Sequence, residues 1–349
     1  MSRLALSRRP HRRSDGGPAP YPHRPLLACA LFAAALALWP APAAAQLETF
    51  FSPKLGELMP RADYRLTFYP EERVASQPTH LSLFEHRFSL SIPLWQNSAN
   101  ELSISPSVKY TDFDTHARLP DSDERFPHEL FDIRLSAAYR HKFENGWIWG
   151  AIVTVGTASD VPFHSEDELV VRASTLLRVP HGERNAWIFM LNYSNRDDLF
   201  GLNVPIPGLA YLYSPSDRFT AVIGLPFSSV EYKPWEDLTL EASYQAVRTV
   251  RVRATYRPFR PLRLYAGFDW DNWFWLLADR GDKDDKFNYY EKRWTGGIRF
   301  DLRHVGFEVS GGWAFDRFYF IGEGYSDRRE NRVDVRDGPF VVGRIQLRF

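Results

Sequence analysis

The 349-residue chain has one cysteine, three methionines, no net charge and no apolar run long enough to cross a membrane as a helix. A single cysteine excludes a disulfide framework and any thiolate zinc or iron–sulfur site. The longest apolar run, residues 26–39, falls short of the roughly 20 residues a spanning helix needs. With 43 basic and 43 acidic residues, the chain lacks the basic excess that marks a dedicated nucleic-acid binder. What it has in quantity is aromatic: 26 Phe, 16 Tyr and 11 Trp. These rings need an apolar or interfacial place to sit.

The first 45 residues read as an export signal. Arg3, Arg8, Arg9, Arg12, Arg13 and Arg24 precede the apolar stretch Leu26–Trp39, and the small residues Ala43–Ala45 follow Pro40. A basic segment, an apolar core and an A-x-A site are the parts of a secretory signal cleaved after Ala45. The alternatives fit less well. The lipoprotein-like Leu26–Cys29 has its apolar run on the wrong side, and the paired arginines lack the apolar residues that twin-arginine export expects. Without the signal the chain holds 37 basic and 42 acidic residues, a net charge of −5, and no cysteine. An exported chain without disulfides needs another source of stability, such as a large hydrogen-bonded ladder. Residues 46–60 are expected to be a short periplasmic segment ahead of a domain spanning 61–349.

From residue 61 onward the hydrophobic period is two. Phe131, Ile133, Leu135, Ala137 and Tyr139 alternate with Asp132, Arg134, Ser136, Ala138 and Arg140; Val250, Val252, Ala254 and Tyr256 alternate with Arg251, Arg253, Thr255 and Arg257. Successive strand side chains point to opposite faces, so each run has one apolar and one polar side. Short turns such as Glu144–Gly146 alternate with longer acidic loops: 112–129, 159–168, 195–205, 278–286 and 322–338. Runs of 10–15 residues, an ionic polar face and Trp residues near strand ends predict an all-β, antiparallel up-and-down transmembrane barrel rather than a soluble sandwich. The rings at Trp147, Trp149, Trp187, Trp235, Trp270, Trp273, Trp275, Trp294 and Trp313 are assigned to the membrane interfaces. Turn counting gives twelve to sixteen strands, centred on fourteen. The interval between Asp217 and Trp235 is the difficult one, being barely long enough for two strands and holding Pro226.

The terminal run places Val341, Gly343, Ile345, Leu347 and Phe349 on one face and Arg344, Gln346 and Arg348 on the other. It resembles the closing strand of bacterial outer-membrane proteins, which ends on Phe and is read by the barrel-assembly machinery. Segments 208–215, 268–280, 289–293 and 311–317 resemble a family of uncharacterised outer-membrane β-barrels of Gram-negative bacteria. That resemblance implies fold and location and transfers no catalytic residue. The expected partners are outer-membrane lipid, the barrel-assembly machinery, periplasmic chaperones and small solutes, with no nucleic acid, cofactor or metal.

Enzyme constellations are weak. Ser159, Asp160 and His164 share one loop, as do His116 and His128 among acids, but no H-E-x-x-H or G-x-S-x-G motif accompanies them. Asp282, Asp284 and Asp285 lack EF-hand spacing. Charge segregation carries more. The predicted lumen-facing bases are Arg134, Arg140, Arg172, Arg251, Arg253, Arg257, Arg263, Arg299, Arg344 and Arg348, with Arg87, Lys109, Lys142, Arg178 and Arg293 on the same faces. The predicted lumen-facing acids are Asp132, Glu241, Asp269, Asp271, Asp301 and Glu308, with Glu85 and Asp316. Fifteen bases against eight acids inside a net-acidic chain suggest a narrow, anion-leaning channel or uptake barrel for small solutes. The rival readings are a closed structural or adhesive barrel with a paired lumen, and an outer-membrane hydrolase.

Overall fold

A computed structural model of the protein describes residues 52–120, 123–196, 204–246 and 248–349. The export signal expected over 1–45 lies outside the described residues. Alternation at period two becomes strand almost throughout. The first strands are β1 (Arg61–Arg73), β2 (His80–Gln96), β3 (Asn100–Thr115), β4 (Glu129–Lys142), β5 (Ile148–Ser159) and β6 (Leu169–His181). There follow β7 (Asn185–Ser194), β8 (Ile206–Ser216), β9 (Phe219–Leu225), β10 (Phe227–Trp235), β11 (Leu238–Gln245) and β12 (Thr249–Phe259). The chain ends with β13 (Leu262–Trp275), β14 (Lys286–Asp301), β15 (Val305–Gly322), β16 (Arg332–Val335) and β17 (Gly338–Arg348).

Each strand pairs antiparallel with its sequence neighbour, and β17 pairs with both β15 and β1, so the ladder has no free edge. The short β16 lies outside this circuit, on the far end of β15. The result is a closed barrel of sixteen strands, at the top of the expected range and two above its centre. The stretch 217–235 explains part of the excess. Pro226, which has no N–H to donate, occupies the connection itself, so β9 and β10 fit as two strands of seven and nine residues.

One end of the barrel carries the tight turns, such as 217–218, 236–237 and 260–261; the other carries the long loops. The apolar alternate residues face out. Leu135, Val155, Ile223, Ile298 and Val309 are all exposed on the outer surface. Residues 52–60 tuck against the short-turn end. The buried Arg140 donates to the carbonyls of Ser52 and Lys54 (both 3.1 Å) and pairs with the buried Glu101, which accepts the Gly56 N–H. Gly56 has φ +84°, and a Cβ there would sit 2.9 Å from the Asn97 carbonyl oxygen, so this seat needs glycine.

Candidate functional site: a roofed chamber in the barrel

The polar alternate residues converge inward around a cavity of about 60 Å³. Its walls come from Arg65, Thr67 and Tyr69 of β1; Glu85 and Arg87 of β2; Lys109 and Thr111 of β3; and Arg251 and Arg253 of β12. β13 contributes Tyr265, Asp269, Asp271, Trp273 and Trp275; β14 contributes Tyr289, Glu291, Arg293 and Thr295; β15 and β17 close it with Glu308, Tyr319 and Phe340.

The long-loop end of this space is filled by the β3–β4 loop. Its Leu119 and Phe126 are almost fully buried, packed in one cluster with Leu81, Leu83, Phe287 and Tyr319 from the surrounding walls. Phe126 meets Phe113, Phe287 and Tyr319 edge to face at centroid separations of 5.3, 5.2 and 4.9 Å. The loop is laced to its neighbour through Gln77, whose side chain donates to the Arg118 carbonyl (2.6 Å) and accepts the Arg118 N–H (2.9 Å). An aromatic roof therefore sits over a charged chamber.

Inside, opposite charges pair both along and between strands. Arg293 is a hub, donating to Glu291 (3.0 Å), Asp271 (3.1 Å) and Asp269 (3.4 Å), while Arg251 reaches Asp269 (2.8 Å). Glu291 also accepts the hydroxyls of Tyr69 (2.8 Å) and Tyr289 (2.6 Å). Glu85 holds Lys109 (2.8 Å) and Arg87 (3.2 Å). Toward the short-turn end, Asp301 gathers Arg263 (2.7 Å), Arg299 (2.9 Å) and Arg348 (3.4 Å). Arg344 is held by Asp63 and Glu308, and Arg134 by Asp132 (2.5 Å). Such pairs offset one another's desolvation and fix side-chain positions more than they add net stability.

The remaining candidates scatter. Arg253 stacks on the Tyr265 ring (4.3 Å), and Glu241 opposes Arg253 in the β11–β12 register. Arg172 lies on β6 opposite Ser194, and Arg257 lies exposed near the short-turn end, its N–H donating to the Asp237 carbonyl (2.7 Å). On β17, Val341 and Ile345 are exposed, Gly343 and Leu347 are half-buried, and the exposed Phe349 donates its N–H to the Pro60 carbonyl (3.2 Å).

Two sequence assignments are corrected. Trp273 and Trp275 line the chamber instead of sitting at an interface, because they share the inward parity of Asp269 and Asp271. Asp316 does not join the inner acids. It sits at φ +51° beside a β-bulge and takes Lys292 (2.8 Å), both partners well exposed. The bulge resets the parity of β15, so Arg317 and Tyr319 turn inward and bury instead. Strict alternation cannot foresee that switch. A second, dry cluster was also missed. Leu176, Ala186, Ile188, Ala210, Leu212 and Val222 pack together on the inward faces of β6–β9. In the sequence its sign was that residues 186–191 are apolar on both parities.

The hydrolase candidates form a turn. The buried Ser159 hydroxyl donates to Asp160 (3.1 Å) and accepts the Val161 N–H, while Asp160 also accepts the Ala278 N–H (2.8 Å). Among the described residues no group of three or more His, Cys, Asp or Glu side chains is placed to hold a metal. The β5–β6 and β13–β14 loops are clamped at the long-loop end. Arg280 donates to Glu168 (3.2 Å) and to the Asp167 carbonyl (2.8 Å), and Lys283 donates to the Asp167 carboxylate (2.5 Å). The Lys283 hydrogen bond holds the Asp167 carboxyl below its ordinary range. Burial pushes Glu168 up, and hydrogen bonds from Ser165 and Arg280 outweigh it, leaving Glu168 lowered as well.

The chain matches no known family model and no curated protein. Among solved structures it is similar to a FadL homologue of Pseudomonas aeruginosa at 12% identity, covering 83% of this chain and 90% of that one, with a TM-score of 0.36. It is similar to an outer-membrane channel of Pseudomonas putida F1 at 11% identity, covering 85% and 98%, with a TM-score of 0.35. It is also similar to the translocator domain of the autotransporter NalP from Neisseria meningitidis, at 9% identity, covering 93% and 97%, with a TM-score of 0.32. The chain is an all-β closed antiparallel barrel, and its own strand pairing defines that class.

Proposed function

We propose that the chain is a non-catalytic barrel of the Gram-negative outer membrane that takes up small solutes through a chamber closed in its resting state. The observation that carries this reading is the charged chamber inside the barrel, roofed by a loop whose Leu119 and Phe126 are buried as apolar anchors. A membrane location is supported by the apolar outer surface and by a backbone ladder with no free edge, the condition for a β structure in lipid. The lining holds six bases and five acids, so its lean toward anions is slight and selection rests on where individual charges stand. Outer-membrane lipid, the barrel-assembly machinery and periplasmic chaperones are the partners such a barrel requires.

The test is planar-bilayer recording of refolded protein, wild type against a deletion of residues 117–126. The wild type is expected to stay mostly closed, and the deletion to conduct with a reversal potential shifted toward the anion. A folded deletion variant that never conducts would favour a second reading, a closed structural or adhesive barrel. The dense pairing around Arg293 and Asp301 speaks for that reading.

A further inference from the structure

The inward residues at one level of the wall form an unusual row. Arg344 of β17 is register partner of Arg65 on β1, Arg65 of Arg87 on β2, and Arg87 of Lys109 on β3. Four cations thus stand side by side on four adjacent strands. Like charges directly opposite one another destabilise a sheet. Three of the four are offset: Arg344 by Asp63 and Glu308, and Arg87 and Lys109 by Glu85. Arg65 has no acid within salt-bridge distance among the described residues, although it lines the chamber between two other guanidinium groups.

A second observation points the same way. Five chamber-lining residues bury a hydrogen-bonding atom that has no partner among the described residues: Nε of Arg65 and Arg87, Nε1 of Trp275, and the hydroxyls of Thr111 and Thr295. All five can donate. Three of them can only donate, the two hydroxyls can also accept, and Oδ1 of Asp271 is the acceptor-only lining atom similarly unpartnered among the described residues. Unmet buried donors are costly, and a donor-rich pocket beside an uncompensated guanidinium matches a ligand rich in acceptors and negative in charge. The half-buried Trp273 and the buried Trp275 stand at the same level, each with Lys109 over its ring (4.9 and 4.8 Å from the ring centroids).

We propose that the chamber binds a small organic carboxylate, its carboxyl group on Arg65 and the donors around it and its carbon body beside Trp273. This deepens the uptake reading and rests on it for the route of entry. The guanidinium fork matches a carboxylate in two-point geometry.

The test is calorimetric titration of the refolded chain with benzoate, benzylammonium and inorganic phosphate. It is run in wild type and in the Phe126→Ala background so that the roof does not decide access. Benzoate is expected to bind at least about tenfold more tightly than either of the others, and Arg65→Gln to weaken it by at least about tenfold, the size of one lost charge-assisted hydrogen bond. Arg65→Lys should recover part of the loss. Arg65→Gln removes repulsion against Arg344 and Arg87, so the variant should fold, which heat-modified gel migration reports; Thr111→Val provides a second, uncharged removal of a donor. Equal binding of benzylammonium, equal binding of phosphate, or benzoate binding indifferent to Arg65→Gln would each overturn the assignment. Benzoate binding without benzoate flux into proteoliposomes would keep the site and remove the uptake reading, whereas flux without binding would remove the site.

Discussion

Replacing Phe126 with alanine should convert a closed barrel into one that opens often. The side chain is 2% exposed and contacts three rings edge to face. Burial of a Phe side chain contributes about 1.5–3 kcal/mol, and each well-placed aromatic pair adds about 0.5–1.5 kcal/mol. The sum overlaps the roughly 3–5 kcal/mol usually lost on Phe→Ala truncation in a core. The cost falls on the docking of the β3–β4 loop, since the barrel ladder does not pass through it. At about 1.4 kcal/mol per factor of ten, the closed-to-open ratio should drop by two to four powers of ten. Single-channel recording reads that ratio directly as open probability. Phe163→Ala, in the β5–β6 loop at 58% exposure, is the matched control and should leave the record unchanged. If Phe126→Ala protein, shown to be folded by its gel shift, gates no more often than wild type, the loop is not the roof.

Glu101→Gln should leave Arg140 buried without its counter-charge at the short-turn end, at a cost of about 3–5 kcal/mol, and free residues 52–60 to protease in refolded protein. The carboxyls of Asp167 and Glu168 titrate lower folded than unfolded, so their contribution to the loop clamp is complete at neutral pH and lost as pH falls through their lowered values. Hydrogen-exchange protection across 160–168, corrected for the intrinsic pH dependence of amide exchange, should accordingly fall below about pH 4 and stay flat between pH 6 and 8. Removing Phe349 should reduce the amount of barrel inserted in cells while leaving the urea midpoint of protein refolded in detergent nearly unchanged, because its ring is half exposed and its bond to the Pro60 carbonyl is made by the backbone.

The barrel was legible because period two is a direct consequence of pleating and holds along each strand between bulges. The strands at 262–275 and 305–322 match their sequence runs closely for that reason. Strand number was harder. The seven residues of β9 carry too few alternations to stand out, and Pro226 reads as an interruption of one strand until the chain is seen to turn there. The chamber was half legible. Arg251, Asp269 and Arg293 follow from parity, but which acid each base meets depends on register across strands far apart in sequence. Tyr69 and Glu291 are 222 residues apart and share hydrogen bonds. Arg317 was hidden by the bulge, and Trp273 by the general habit of assigning Trp to interfaces.

The uneven height of the wall explains why the interior divides into a wet and a dry side. The seven residues of β9 extend about 23 Å, which a tilt near 40° reduces to about 18 Å along the barrel axis, short of the roughly 25 Å apolar band of outer-membrane barrels. The eighteen residues of β15 extend about 60 Å by the same measure. A water-filled, charged lumen behind the short sector would lie at the level of lipid with little wall above it, and ions there would be expensive. Leu176, Ile188, Leu212 and Val222 fill that side with apolar packing, so β6–β9 are buried on their inner face and greasy on their outer one. The ionic residues Arg65, Arg87, Lys109, Glu291 and Arg293 belong to strands of thirteen residues or more, and Arg251 and Arg253 to the eleven-residue β12. The apolar cluster thus lies where the wall is lowest, and the charged chamber is walled by β1–β3 and β12–β15 with β17.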